Sequence, residues 1–145
     1  MDEVLYEQIT ALTDEGNKRA QEGDWVLAKE KFWQAFDLLP EPKMEWQATT
    51  WILAAIGDMW FLLEDFEKAR YAFFHAIRCP GGLGSPFIHL RLGEIAFEVG
   101  DMGTAADELT RAYMGGGREA FQAEDAKYFS FLESILPPPK GKHSL

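Results

Sequence analysis

One pattern, repeated three times, constrains this chain more than any other feature. Gly16, Gly57 and Gly93 are each followed 12 residues later by alanine (Ala28, Ala69, Ala105). Four residues on stands a large apolar side chain (Phe32, Phe73, Leu109), and three after that a second alanine (Ala35, Ala76, Ala112). The intervals of three and four are helical spacing, and a fixed recurrence of this kind is the signature of stacked supersecondary units. Each unit reads as two antiparallel helices: the glycine lets them approach, the alanines fill the narrow contact, and the aromatic fills the wider gap. Gly23-Asp24 and Gly100-Asp101 supply the turn between helices in the first and third units.

These positions resemble the tetratricopeptide repeat, with Leu-Gly, Tyr, Ala-x3-Phe and Pro slots matched at most places in the second unit. The resemblance implies an all-α fold, a right-handed superhelical solenoid of three helix hairpins plus a C-terminal capping helix. The departures are specific. The tyrosine slot holds Arg19 in the first unit and Ala96 in the third, and the leucine slot of the first unit is Glu15. The glycines lie 41 and 36 residues apart, against about 34 for the standard unit. The surplus falls in Leu39-Pro40-Glu41-Pro42 and in the Gly/Pro-rich stretch from Cys79 to Pro86. Helices are expected near 2–22, 25–38, 44–63, 66–78, 86–99, 102–114 and 119–136. The repeats run about 9–40, 50–80 and 86–117 within a single domain over 1–136, and 137–145 reads as a Pro-rich tail. Gly115-Gly116-Gly117 lacks the strand and the Lys-Ser/Thr of a phosphate loop and is expected to end a helix.

The sequence offers little for catalysis. His75, His89 and His143 have no metal-ligand spacing, Cys79 is the single cysteine, and Ser85 and Ser134 lack a nucleophile context. Asp58 and Glu94 follow their glycines directly and form a register-matched carboxylate pair, read as a solvated or partner-facing acidic stripe rather than as an acid–base couple. No enzyme activity, cofactor or metal is expected. The net charge of −10 disfavours nucleic acid and anionic membranes and favours a basic protein partner. The start Met1-Asp2-Glu3 carries no secretory signal, from which a cytoplasmic location is expected.

In stacked helix pairs the first helices line the concave face. Projecting the groove positions of the repeat selects Thr13 and Asn17, then Trp51, Asp58 and Phe61, then Phe87 and Glu94, with Arg91 and Glu98 beside them. Large aromatics among charges are what binding hot spots are made of. Trp33 and Phe74 share one register on the second helices and mark a convex patch. Tetratricopeptide co-chaperones that hold acidic tails use a basic clamp here, and only Asn17 fits it. The segment from Leu92 through Leu132 looks like small bacterial tetratricopeptide proteins encoded beside polymorphic toxins, which implies an immunity protein that binds a toxin effector domain. Type III secretion chaperones look similar in length and acidity, which keeps a chaperone role open beside a scaffold role.

Overall fold

The computed structural model describes residues 1–137, so the tail beyond Pro137, with His143, lies outside the described residues. Three hairpins stack in chain order: α1 (Glu3–Gln21) with α2 (Trp25–Leu38), α3 (Gln47–Leu62) with α4 (Phe66–Ala76), and α5 (Pro86–Glu98) with α6 (Met102–Gly116). A short helix, α7 (Ala126–Ile135), packs on α6. The result is an all-helical tetratricopeptide-type stack with a cap. No helix among the described residues is long and apolar enough to cross a membrane.

Each hairpin turn has the same construction. One residue takes a left-handed backbone, Gly23 at φ 79°, Glu64 at 62° and Gly100 at 85°. The aspartate after it (Asp24, Asp65, Asp101) then caps the second helix by accepting from the backbone N–H three residues on. Such a cap answers one of the four N–H groups that a helix start leaves unpaired. The Thr104 hydroxyl, and after it the Thr104 N–H, hold the Asp101 carboxyl below its usual pKa. In the second hairpin a glutamate occupies the strained position where the other two have glycine.

The close approach of the two helices in each pair is legible atom by atom. A Cβ placed on Gly16 would meet the Phe32 ring at 2.6 Å, on Gly57 the Phe73 ring at 2.8 Å, and on Gly93 the Leu109 side chain at 2.7 Å. The three apolar partners are buried, and each belongs to a separate core cluster, centred on Phe32 and Ile56, on Phe73 and Ile95, and on Leu109 and Leu132.

The two enlarged connections between pairs are tied down. In the first, Lys43 Nζ donates to the carbonyls of Phe36, Asp37 and Leu39 and so closes the end of α2, while Trp46 Nε1 donates to the Pro40 carbonyl at 2.8 Å. This segment carries its own 3-10 turn, Lys43–Glu45, so α3 starts at Gln47 and not near 44. In the second, Ser85 caps α5 through the Ile88 N–H and Pro86 opens it.

The capping segment differs from a continuous helix over 119–136. A 3-10 turn, Arg118–Phe121, is followed by a non-helical link, and α7 restarts where Asp125 accepts from the Lys127 N–H. Of the three glycines, only Gly117 ends α6, at φ 66°. Gly115 and Gly116 remain helical and pack closely: a Cβ on Gly115 would stand 3.0 Å from the Pro86 ring, and one on Gly116 2.9 Å from Ala120 and 3.2 Å from Pro86.

Candidate functional site

The inner face, built from α1, α3 and α5, divides into two chemically different halves. Around α1 and α3 lies a hollow of about 370 Å3 lined by Tyr6, Thr10, Thr13, Asn17 and Trp51, with Ile9, Ile52 and Ala55 at its base. The spacing 6, 10, 13, 17 places tyrosine, two threonines and asparagine along one strip of α1. Asn17 and Trp51 are exposed, Trp51 to 47%. Thr13 is half-buried, its hydroxyl donating to the Thr10 carbonyl at 2.9 Å. Glu3, Glu7 and Asp14 stand exposed on the same helix.

Around α5 the inner face is closed. The Arg91 guanidinium is buried and donates from Nε to Asp58 at 2.6 Å, and from Nη1 to Glu94 at 2.7 Å and to Glu124. Its Cζ lies 4.7 Å from the Phe61 ring centroid and 4.9 Å from that of Phe87, so the cation rests on two aromatics as well as among three carboxyls. Burial on its own lowers the Arg91 pKa, but the charges of Asp58, Glu94 and Glu124 outweigh it and hold the group further into the charged range. Glu98 is taken up by Lys127 and Tyr128 from the cap. The Glu98 contact raises the Lys127 pKa, and burial followed by the Glu94 and Glu98 charges raises that of Tyr128.

This arrangement corrects the reading of a partner-facing acidic stripe. Glu94 is fully buried and Arg91 nearly so, while Asp58 and Glu98 are engaged in internal ion pairs. Phe61 is half-buried beneath Arg91, and Phe87, 36% exposed, turns toward Phe73 at a centroid distance of 6.2 Å. Sequence register projected these residues onto one face, and in the structure Arg91 bonds both Asp58 and Glu94. It missed Glu124, because that carboxyl comes from the link inside the expected capping helix.

Glu94 has a distinct protonation state. Burial and the adjacent Glu124 carboxylate together outweigh the pull of Arg91 and push its pKa up to about 9. Its Oε2, buried without any N–H partner, becomes a donor toward Glu124 when protonated. The linkage sign follows: a folded-state pKa raised above the unfolded value contributes stability that is full below the unfolded value of 4.5 and is lost as pH rises through the folded one. Thermal stability is therefore expected to decline between about pH 4.5 and about pH 9, and Glu94→Gln, a neutral isostere of the protonated acid, to flatten that decline. Melts of both proteins across the range check this; parallel profiles would mean that Glu94 is not the titrating group.

The remaining chemistry-bearing residues have structural places. His89 sits between the Glu108 carboxylate at 2.8 Å and the Leu83 carbonyl at 2.7 Å. Cys79 is buried, which raises its thiol pKa. The described residues contain no group of three or more His, Cys, Asp and Glu placed to hold a metal ion.

On the opposite face, Trp33 and Phe74 are both exposed and line one large cleft between α2 and α4, of about 940 Å3. Tyr71, one turn before Phe74, and Met44, from the enlarged connection, join them. Neither was singled out by register. Tyr71 was legible as a third aromatic at i−3 from Phe74 on a helix whose apolar stripe already pointed elsewhere.

No protein-family model and no curated protein matches the chain. Among solved structures, it is similar to the Yersinia enterocolitica type III secretion chaperone SycD, determined in complex with a peptide of the translocator YopD. The TM-score is 0.72 at 15% identity, over 92% of this chain and 96% of that one. The likeness is one of fold.

Proposed function

We propose that this chain is a non-catalytic module that binds another protein, taking an extended segment of it into the hollow between α1 and α3. The observation that carries this reading is the pairing of a half-exposed indole, Trp51, with a strip of hydrogen-bonding side chains, Tyr6, Thr10, Thr13 and Asn17, over an apolar base. Such a site offers an anchor pocket for an apolar side chain and hydroxyl and amide partners for a peptide backbone. The fold it shares with a chaperone determined with a bound peptide supports a holding role of the chaperone kind.

A basic partner is favoured by the net charge of −10 and by Glu3, Glu7 and Asp14 along α1, which would speed encounter through long-range attraction. A second reading, an immunity protein that neutralises a basic toxin effector domain, draws on the same charge and on the resemblance of the third pair and cap. Coexpression with the neighbouring gene product separates the two. Rescue from a lethal product favours immunity, whereas increased solubility of a non-lethal one favours a chaperone.

Trp51→Ala and Asn17→Lys are expected to weaken binding of the native partner by at least about tenfold, without loss of fold, because both side chains are exposed. Titration calorimetry with the partner that copurifies from the native host checks this. Wild-type affinity in both variants would place the interface away from the hollow. Asp58 is unsuited to such a test, since its substitution would disturb Arg91.

A further inference from the structure

The cleft between α2 and α4 carries chemistry opposite in sign to the protein as a whole. Both helices pack against their neighbours in the stack but leave a trench between them, with Trp33 on one wall, Phe74 and Tyr71 on the other, and Trp60 within it. Trp33 is 40% exposed, Phe74 48% and Tyr71 69%. Three large aromatics bordering one trench exceed the scattered apolar exposure that soluble surfaces ordinarily show. Around them stand cations. Lys29 Nζ lies 3.5 Å and Lys68 Nζ 4.6 Å from the Trp60 ring centroid, the Arg78 guanidinium stacks 3.6 Å from Phe74, and Arg70 lines the wall.

These cations are poorly neutralised. Among the described residues, Lys29, Arg70 and Arg78 have no carboxylate within ion-pair distance, and Lys68 has only Asp65 at 3.9 Å. Glu67 is the one carboxylate that lines the trench. In a chain of net charge −10, a local excess of positive charge around exposed aromatics requires a reason, and electrostatic complementarity to a ligand supplies one.

We propose that this trench docks an amphipathic helix of a second protein, with aromatic or leucine anchors on its apolar face and Asp or Glu on its flanks. A gap bounded by two helices accepts the side-chain ridge of a third, and anchors one turn apart on the incoming helix would meet Trp33, Trp60 and Phe74 in succession. The flanking carboxylates would reach Lys29, Lys68, Arg70 and Arg78. The site is independent of the inner hollow and selects the opposite charge, so the protein can hold two partners at once.

The test uses fluorescence anisotropy with two labelled amphipathic helices of about four turns, sharing one Leu/Phe face but flanked by Glu in one and Lys in the other. The Glu peptide is expected to bind saturably and at least about tenfold more tightly than the Lys peptide. Trp33→Ala or Phe74→Ala is expected to weaken it by about tenfold or more. The pair Lys68→Glu with Arg78→Glu should invert the preference, and Trp51→Ala should leave it unchanged. Circular dichroism confirms that each variant is folded. Equal affinity for the two peptides, or wild-type affinity in both aromatic variants, overturns the proposal. So does a dimer in sedimentation that Trp33→Ala and Phe74→Ala dissociate, which would make a second copy the occupant.

Discussion

Replacing Arg91 with methionine is expected to lower the unfolding free energy by about 3–5 kcal/mol, the cost of stripping one partner from a buried ion cluster. In a chain of this length that corresponds to a fall in melting temperature of about 10–20 °C. Methionine keeps an unbranched apolar stem while removing the guanidinium, with its ion pairs and its contacts to the Phe61 and Phe87 rings, so the loss reports the cation rather than the stem. The consequence is large because three elements meet on one guanidinium: Asp58 from α3, Glu94 from α5 and Glu124 from the link before α7. Without the cation, Asp58 and Glu124 face each other across a site that burial keeps poor in water. Adding Asp58→Asn and Glu124→Gln to Arg91→Met should recover part of the loss. Urea unfolding of the single and triple variants measures both effects. A deficit below about 1 kcal/mol would show that the cluster is not what joins the second pair, the third pair and the cap.

The cluster also marks where reading the sequence stops being sufficient. Register placed Asp58, Arg91 and Glu94 on one face, because the repeat fixes which side of a first helix each residue occupies. Whether that face is open depends on what lies over it, and here the lid is Glu124, 33 residues beyond Arg91 in the chain. Its position rests on a break between two helical turns that the apolar spacing of Phe121, Tyr128 and Leu132 disguised as one continuous helix. The hairpin turns show the converse. Gly23-Asp24 and Gly100-Asp101 were recognisable from residue type, whereas Glu64-Asp65 performs the same turn with a residue that rarely takes φ > 0. The aspartate cap is what the three turns share, and it is the more dependable signal. The outer cleft lay between these cases: Trp33 and Phe74 were visible as a pair, but their cationic surroundings come from α2 and α4 together and emerge only when the helices are stacked.

The second large effect is expected at the seam inside the second hairpin. Phe73 has no exposed surface, and Phe73→Ala should cost about 3–5 kcal/mol through lost burial and the cavity left behind. The more informative experiment concerns its partner, Gly57. A methyl group there would stand 2.8 Å from two atoms of the Phe73 ring, closer than van der Waals contact allows. Gly57→Ala gains about 0.8–1 kcal/mol of helix propensity but should still destabilise, because separating two packed helices costs about 1–3 kcal/mol. If the glycine exists to admit the ring, shrinking the ring must remove the penalty. In Phe73→Leu, which opens space at the same point, Gly57→Ala should become close to neutral or stabilising, giving a coupling energy of about 1–2 kcal/mol in a double-mutant cycle. Additive effects would mean that the glycine serves some other end. The cycle applied to Gly93 and Leu109 has a built-in contrast, since there the added methyl also meets the Leu109 backbone nitrogen at 3.0 Å. Trimming the Leu109 side chain cannot move that atom. Relief in the third hairpin should therefore be smaller than in the second, although the sequence pattern of the two is the same.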